Sequence, residues 1–364
     1  MGEATVSETS RRIRLGFVGG EHLHFRGLLQ AALDSPTAEV VGYSIEDDEL
    51  RAHFQQQHPA VPAFGRSDEL YDRGRPEAIV TCADNRRAAA VVAEAAQRGV
   101  HVMKEKPMAA SLELAEQMAT AAARGGVRLM VNWPTNWNPA IHLAKRLVDE
   151  GKIGRVIDLH SRAGHGGPPP DFAARGPISR VGWGWLIDRH TNGGGAAVDF
   201  CAYGAVTARW LLGQPSAVVG HGGRYAKEFF TVEDNGIMIL SYPRAQAVIE
   251  GSWTQPAVPV QQPTMIYGED GALALTGGDE VALANRGTSG ELVSTETATV
   301  TAPPLPAHYR SGPDYFTHCL LHDEPFVGLV PPAVSRDAQE ILDAGLQAMT
   351  TGRTIPLPLP AFAA

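Results

Sequence analysis

Two short stretches of this chain carry side chains whose types and spacing suit proton transfer or oxyanion binding. The first is Val102-Met103-Lys104-Glu105-Lys106-Pro107-Met108, where two ammonium groups and a carboxylate follow an apolar run. Pro107 pushes residue 106 into an extended conformation and so fixes where its side chain points. A solvated turn satisfies the same pattern, and only the lysine that faces a cleft, Lys104 or Lys106, can act. The second stretch runs Asn192-Gly193-Gly194-Gly195-Ala196-Ala197-Val198-Asp199-Phe200-Cys201-Ala202-Tyr203-Gly204. A glycine run there leads into a helix with Asp199 and Tyr203 four residues apart, hence on one face. An ordinary helix with a partly buried tyrosine fits that pattern too.

A third stretch, Gly16-Phe17-Val18-Gly19-Gly20-Glu21-His22-Leu23-His24, closes the first apolar run. A dinucleotide fingerprint asks for Gly-x-Gly-x-x-Gly there, so that backbone approaches a pyrophosphate at a helix N-terminus. Gly19 fits the first position, whereas Glu21 and His24 occupy the second and third. A carboxylate beside a pyrophosphate is unfavourable, so the loop must turn Glu21 away or bind differently. Glu21, His22 and His24 also raise the question of a metal. His-x-His on a loop supplies at most two of the three or four ligands that a site needs. These residues read as the polar lining of a pocket, and no metal is expected.

The elements that position these groups follow from periodicity. Ile13–Val18, Glu39–Tyr43, Ala78–Thr81, Val100–Met103 and Val127–Val131 read as buried strands. Helices are expected over His24–Leu33, Leu50–Gln57, Arg86–Arg98 and from the Ser111 cap to Arg124. Such alternation implies parallel βαβ units, with ligands at the strand C-termini. A Rossmann-type doubly wound domain over 12–132 is the expectation, after a disordered tail at 1–11. Asn138-Pro139 then caps and starts a helix to Glu150. Strands are expected at Arg155–Ser161, Ala217–Gly220, Gly236–Tyr242, Ala247–Trp253, Thr264–Tyr267 and Ala272–Leu275. Tight turns between neighbours make this second, α+β domain (133–364) mostly antiparallel. Ala163–Gly195, rich in Gly, Pro and Trp, reads as a long functional loop.

Composition bounds the function. At 364 residues, two domains are a better expectation than one core. The formal net charge is -9 and no long basic run occurs, which argues against nucleic acid or anionic membranes as partners. Cys82, Cys201 and Cys319 are odd in number and widely spaced, as buried thiols in a reducing compartment are. Ser10-Arg11-Arg12 faintly resembles a twin-arginine export signal, but Glu21, His22 and His24 interrupt the apolar stretch that should follow. No segment approaches the roughly 18 apolar residues that span a bilayer. A cytoplasmic protein is expected.

Taken together, these motifs resemble the glucose–fructose oxidoreductase/inositol dehydrogenase (Gfo/Idh/MocA) family. The likeness rests on Glu105-Lys106-Pro107 and on the triple glycine followed by Asp199 and Tyr203. Trp210-Leu211-Leu212-Gly213, Glu233-Asp234-Asn235, Tyr267-Gly268 with Gly271-Ala272-Leu273, and Gly352–Pro358 add to it. Two departures stand out. The glycine fingerprint is degraded, and the family's Pro-Asn and following His read Ala83-Asp84-Asn85-Arg86-Arg87 here.

The resemblance implies a nicotinamide-dependent oxidoreductase that moves a hydride between NAD or NADP and a secondary hydroxyl of a sugar, polyol or glycoside. Lys106, Tyr203 and Asp199 become the catalytic residues. Tyr203 exchanges the hydroxyl proton, and a nearby Lys106 ammonium lowers the phenol from its usual pKa of about 10. Asp199 orients Lys106 or a substrate hydroxyl. The dinucleotide is expected against Gly19, Gly20, His22, Glu46, Ala83, Asp84 and Glu105. The acidic residue expected after the second strand falls on Ile45, so Glu46 or Asp47 stands in, favouring NAD because a carboxylate repels a 2′-phosphate. Arg51 can reverse that preference. For the substrate, Trp133, His165, Trp183, Trp185, Asp188, His190 and Asn192 are suitably placed in sequence, in addition to Lys106 and Tyr203. Family members commonly pair through the open face of the second sheet, which implies a homodimer or homotetramer. Two rival readings remain: a non-catalytic sugar or dinucleotide sensor of the same fold, and glycoside cleavage or elimination through transient oxidation.

Overall fold

The computed structural model describes residues 11–255, 264–286 and 295–361. Most of the expected tail, 1–10, lies outside the described residues. Arg11, counted with that tail, pairs with Glu77 at 2.7 Å.

Six strands form one parallel sheet: β1 (Ile13–Val18), β2 (Ala38–Ser44), β3 (Ala63–Phe64), β4 (Ala78–Thr81), β5 (His101–Glu105) and β6 (Leu129–Asn132). Their order is β3-β2-β1-β4-β5-β6. Helices cover both faces, so the strands are largely apolar, and β4 is buried at all four positions. The crossover elements are α1 (Phe25–Leu33), α2 (Asp48–Gln57), α3 (Ser67–Glu69), α4 (Ala88–Gln97) and α5 (Leu112–Arg124). Ser111 caps α5, its hydroxyl accepting from the Leu114 N–H at 3.3 Å. The strand order reverses between β1 and β4, which opens a crevice beyond their C-termini. Gly19 leaves β1 there, and Ala83 follows β4. The expected fourth strand runs two residues further than its apolar run, because Lys104 is a charged strand residue with no exposed surface.

The second half begins with α6 (Pro139–Asp149), capped by Asn138 accepting from the Ala140 N–H at 2.9 Å. The six expected strands are β7 (Val156–Gly164), β8 (Ala217–Gly223), β9 (Asn235–Ser241), β10 (Gln246–Ser252), β11 (Thr264–Gly268) and β12 (Gly271–Gly277). Three further strands, β13 (Glu280–Arg286), β14 (Thr295–Thr301) and β15 (Ile355–Pro356), extend the sheet to β14-β13-β12-β11-β7-β10-β9-β8-β15. Among the described residues of this sheet, only β7 and β10 pair in parallel.

Ala163–Gly195, expected as a long loop, holds short elements of its own. It contains a 3-10 turn at Phe172–Ala174, α7 (Pro177–Gly184) and the one-turn α8 (Arg189–Asn192). Pro177 opens α7 at the position where its missing N–H costs nothing. The Arg180 side chain then ties α7 to α2, donating to Asp47 and to Glu49, each at 3.0 Å.

After α9 (Ala202–Leu212), two helices lie beyond the elements read from sequence: α10 (Gly312–Leu321) and α11 (Pro332–Thr351). α10 packs back on α1, β1 and β2, so Tyr315, Phe316 and Cys319 share a core with Leu15, Phe17 and Phe25. A segment expected in the second domain thus completes the core of the first. α11 lies on β8, α9 and α5. Cys82, Cys201 and Cys319 are free and buried. No helix among the described residues is long and apolar enough to cross a membrane.

Candidate active site

The glycine run earns its composition from close backbone approach. A Cβ on Gly193 would lie 2.1 Å from the Ala110 carbonyl oxygen, and one on Gly195 would lie 2.0 Å from that of Glu233. The chain therefore threads between the segment after β5 and the segment before β9. It emerges in a π-helical turn, Ala197–Cys201, that carries Asp199, and α9 follows with Tyr203.

Lys106, one residue past β5, meets this turn. Its ammonium donates to Asp199 Oδ1 at 2.7 Å and stands 4.9 Å from the centre of the Tyr203 ring. Both charged groups are buried, and Trp253 donates its indole N–H to Asp199 Oδ2 at 3.1 Å. Burial alone would depress the Lys106 pKa, but the Asp199 carboxylate outweighs it and drives the value up. Burial likewise opposes ionised Asp199, and Lys106 holds that carboxyl below its usual range. The pair is therefore charged throughout the neutral range. Tyr203 departs from expectation. Burial raises its pKa, and the opposing pull of Lys106 does not reverse the sign. The resting side chain is a neutral phenol. Its ring is held between Trp133 (centroids 5.8 Å apart) and Phe200 (6.0 Å).

Lys104, the other candidate ammonium, points into protein. It donates to the Glu105 carbonyl at 2.5 Å and to Asn85 Oδ1 at 3.3 Å. Glu105 has no exposed surface; it is bonded to the His24 ring at 2.8 Å and accepts from Asn132 Nδ2 at 2.5 Å. The fold thus brings Glu105 to His22 and His24, with one ligand atom from each lying within 4.8 Å of the others. Burial first, then neighbouring His24, and then Lys106 and Lys104 hold the His22 pKa well below normal. Two flanking ammonium groups disfavour a cation at that point.

The dinucleotide crevice is built at the ends of β1 and β4. Gly19 has φ +81°, and a Cβ on it would lie 2.6 Å from the Ala83 backbone nitrogen. Glu21 turns back on its own loop, its Oε2 accepting from the Gly20 N–H at 2.8 Å, while Oε1 pairs with Arg87. Burial raises the Glu21 pKa against the pull of Arg87. Arg87 also reaches Glu46 at 2.7 Å. Asp84 caps the turn before α4 by accepting from the Arg86 and Arg87 N–H groups at 3.0 and 2.9 Å. Asp47 is spent as the cap of α2 and as the partner of Arg180. These residues fit a dinucleotide: a close-packed glycine turn and an N–H already bonded to an anion stand at the switch point.

The expected substrate residues divide. His165 reaches the cleft, close enough to Asp199 and Lys106 to feel both, and burial lowers its pKa so that the ring is neutral. Trp183 and Phe200 pack on its ring. Trp133 stands behind Tyr203 instead, 1% exposed, with its indole N–H given to Ser335 Oγ at 2.9 Å. Asn192 is fully buried; it accepts from Asn85 Nδ2 at 2.8 Å and donates to the Leu186 and Gly194 carbonyls. Trp185 faces the glycine loop, donating to the Glu21 carbonyl at 2.9 Å and packing on His22. Asp188 and His190 are exposed on α8, where Asp188 accepts from the His190 N–H at 2.9 Å. Sequence reasoning missed Trp253 and Asn85, which lie far along the chain from the motifs they support. It also missed a cavity of about 300 Å³ beside Tyr203, lined among others by Thr135, Arg162, Phe200 and Thr264.

A parallel sheet with this strand order, a glycine turn at its switch point and an appended open sheet define a NAD-binding Rossmann protein with a second α+β domain. Residues 13–133 match the profile of the oxidoreductase family with NAD-binding Rossmann fold, and 141–274 match the GFO/IDH/MocA C-terminal domain. The chain belongs to the Gfo/Idh/MocA family. Among curated relatives, D-xylose 1-dehydrogenase (NADP(+)) from Haloarcula marismortui is 30% identical over 49% of this chain and 47% of that protein. The 1,5-anhydro-D-fructose reductase of Ensifer adhaerens is 29% identical over 62% of this chain and 64% of its own. The match thus spans about half of the first relative and under two thirds of the second. An aldose-aldose oxidoreductase from Caulobacter crescentus, solved with glycerol, superposes with a TM-score of 0.77 at 22% identity, over 95% of this chain and 100% of that one. Levoglucosan dehydrogenase with NADH gives 0.76 at 19%, over 96% and 100%. At these identities the structures show a shared fold.

Proposed function

We propose that this chain is a dehydrogenase or reductase that passes a hydride between NAD or NADP and the carbon of a secondary hydroxyl on a sugar, polyol or glycoside. One observation carries the reading: the Lys106 ammonium is fixed by Asp199 over the face of Tyr203, at the end of β5. The nicotinamide supplies the hydride acceptor or donor. The chain handles the proton and the oxygen. Tyr203, neutral at rest, gives its proton to a carbonyl oxygen in reduction; in oxidation it must first release that proton to solvent, and the phenolate beside Lys106 then takes the proton of the hydroxyl. Lys106 stabilises alkoxide charge on the substrate oxygen and phenolate charge on Tyr203 in turn. Asp199 keeps Lys106 protonated and aimed. His165 is the substrate-side contact, and Trp133 and Asn192 act from behind, by packing Tyr203 and bracing the glycine run.

The names of the relatives support a carbohydrate substrate, and Glu46 beside the crevice supports NAD over NADP. Absorbance at 340 nm with purified protein, each cofactor and a panel of sugars, inositols and anhydrosugars tests the whole reading. Lys106→Met and Tyr203→Phe should each lose roughly 10²–10⁴ in kcat while NADH binding, followed by calorimetry, persists. Turnover retained in both variants would overturn the assignment.

A further inference from the structure

Two departures from the family pattern meet in space. Glu21 stands at the second glycine of the fingerprint, and Arg87 belongs to the segment after β4, Ala83-Asp84-Asn85-Arg86-Arg87, that replaces the family's Pro-Asn and following histidine. They are 66 residues apart in sequence and form an ion pair. The pair lies at the switch point, where a dinucleotide's diphosphate takes backbone N–H groups. Glu21 holds the Gly20 N–H at 2.8 Å, so a carboxylate of the chain itself fills a place suited to a phosphate oxygen. The arginine that neutralises it is one-quarter exposed and also reaches Glu46 at 2.7 Å. The loop is held shut from the other side by α7 and the residue after it. Trp185 binds the Glu21 carbonyl, and a Cβ on Gly182 would lie 2.2 Å from Leu23.

We infer that the Glu21 carboxylate is a tethered stand-in for the cofactor's diphosphate, and that Arg87 is the cation handed from Glu21 to that diphosphate when the dinucleotide binds. Two anions cannot share the Gly20 N–H, so Glu21 must swing out as the diphosphate arrives. Its movement needs only side-chain rotation, because the Trp185 bond is to the Glu21 backbone. Arg87 has both the reach and the geometry, since a guanidinium pairs with carboxylate and phosphate oxygens through the same fork of donors. This explains why two departures that each look damaging occur together. A glutamate alone would repel the cofactor, and the paired arginine offsets that charge.

The inference rests on the cofactor reading above, and binding measurements on the full chain separate the two. Calorimetry is run with NADH, NADPH, inorganic pyrophosphate and adenosine against wild type, Glu21→Gln and Arg87→Met. Melting temperatures are checked for each variant. Glu21→Gln keeps an acceptor for the Gly20 N–H but gives up the charge. It should tighten dinucleotide and pyrophosphate roughly tenfold, the scale of one partly screened charged hydrogen bond. Arg87→Met should weaken the same ligands by a similar factor. Adenosine, which carries no phosphate, should bind alike in all three proteins. If wild type binds a dinucleotide and Glu21→Gln binds it equally or more weakly, the stand-in role is wrong and the cofactor reading survives. If neither wild type nor Glu21→Gln binds any dinucleotide, both readings fall. Binding that emerges only in Glu21→Gln supports the inference in its strongest form.

Discussion

Lys104 is charged, has no exposed surface, and stands two residues from the lysine that faces the cleft. Burial lowers its pKa to about 8, against the opposing pull of Glu105 and Cys82. An unfolded lysine titrates near 10.4, so between those values the unfolded chain binds more protons than the folded one. Stability from this residue must therefore rise with pH across that window and be smallest below it. Other titrating groups cancel in a comparison with Lys104→Met. Urea unfolding should show wild type gaining about 1–2 kcal/mol on the variant between pH 8 and pH 10. A difference that stays flat with pH would mean that the ammonium is not desolvated. The same residue shows what sequence leaves open at this scale. Glu105-Lys106-Pro107 marks the motif, but Lys104 and Lys106 are both ammonium groups two residues apart, which strand alternation alone would put on one face; β5 ends at Glu105, and it is Lys106, beyond the strand, that meets Asp199. The meeting of Tyr203 with Lys106 was legible from the motifs, yet the sign of the tyrosine's pKa shift was not. That sign depends on how far Trp133 and Phe200 exclude water from the ring.

At the scale of elements, glycines that look alike in sequence do opposite things. Gly195 cannot carry a Cβ without meeting the Glu233 carbonyl, whereas a Cβ on Gly27, inside α1, meets nothing within 4 Å. Gly195→Ala must push the turn bearing Asp199 away from the segment before β9. A cost of about 1–3 kcal/mol is the usual scale of such overpacking. The melting temperature and the rate should fall together, because Asp199 moves with the turn. Gly27→Ala should instead raise stability by about 0.5–1 kcal/mol, the helical preference of alanine over glycine. Melting curves of both variants check the contrast, and equal effects would contradict it. Strand positions were readable because buried runs of the right length leave little choice. The helices inside Ala163–Gly195 were not, because Gly, Pro and Trp there signal a loop. What sets α7 is tertiary: Arg180 finds Asp47 and Glu49 across the crevice. The Glu21–Arg87 pair was invisible for the same reason, since only the β1–β4 adjacency brings its members together.

At the scale of the whole molecule, the helices that pack on the second sheet among the described residues, α6, α9 and α11, leave its other face open. Register places Val219, Ile239, Val248, His160 and Met265 in one row across β8, β9, β10, β7 and β11, and cross-strand partners share a face. Tyr267, two residues beyond Met265, returns to that same side. Val219 and Ile239 are each 39% exposed and Tyr267 37% exposed, with the Arg162–Glu250 ion pair among them at 3.0 Å. Apolar side chains in a contiguous band on an open sheet mark an association surface more often than a free one. A second copy of this chain suits it, because a two-fold axis sets each band against itself and each Arg162 near a Glu250 of the other copy. The expected state is a dimer formed through this sheet, with the candidate active site intact in each subunit. Ile239→Arg places an unpaired charge at the centre of the band, where burial is costly. Light scattering at micromolar concentration should then report one chain mass for the variant and at least two for wild type. The hydride-transfer rate per chain should change little, since Lys106, Asp199 and Tyr203 all lie within one protomer. Equal masses for the two proteins would remove the open sheet as the pairing surface.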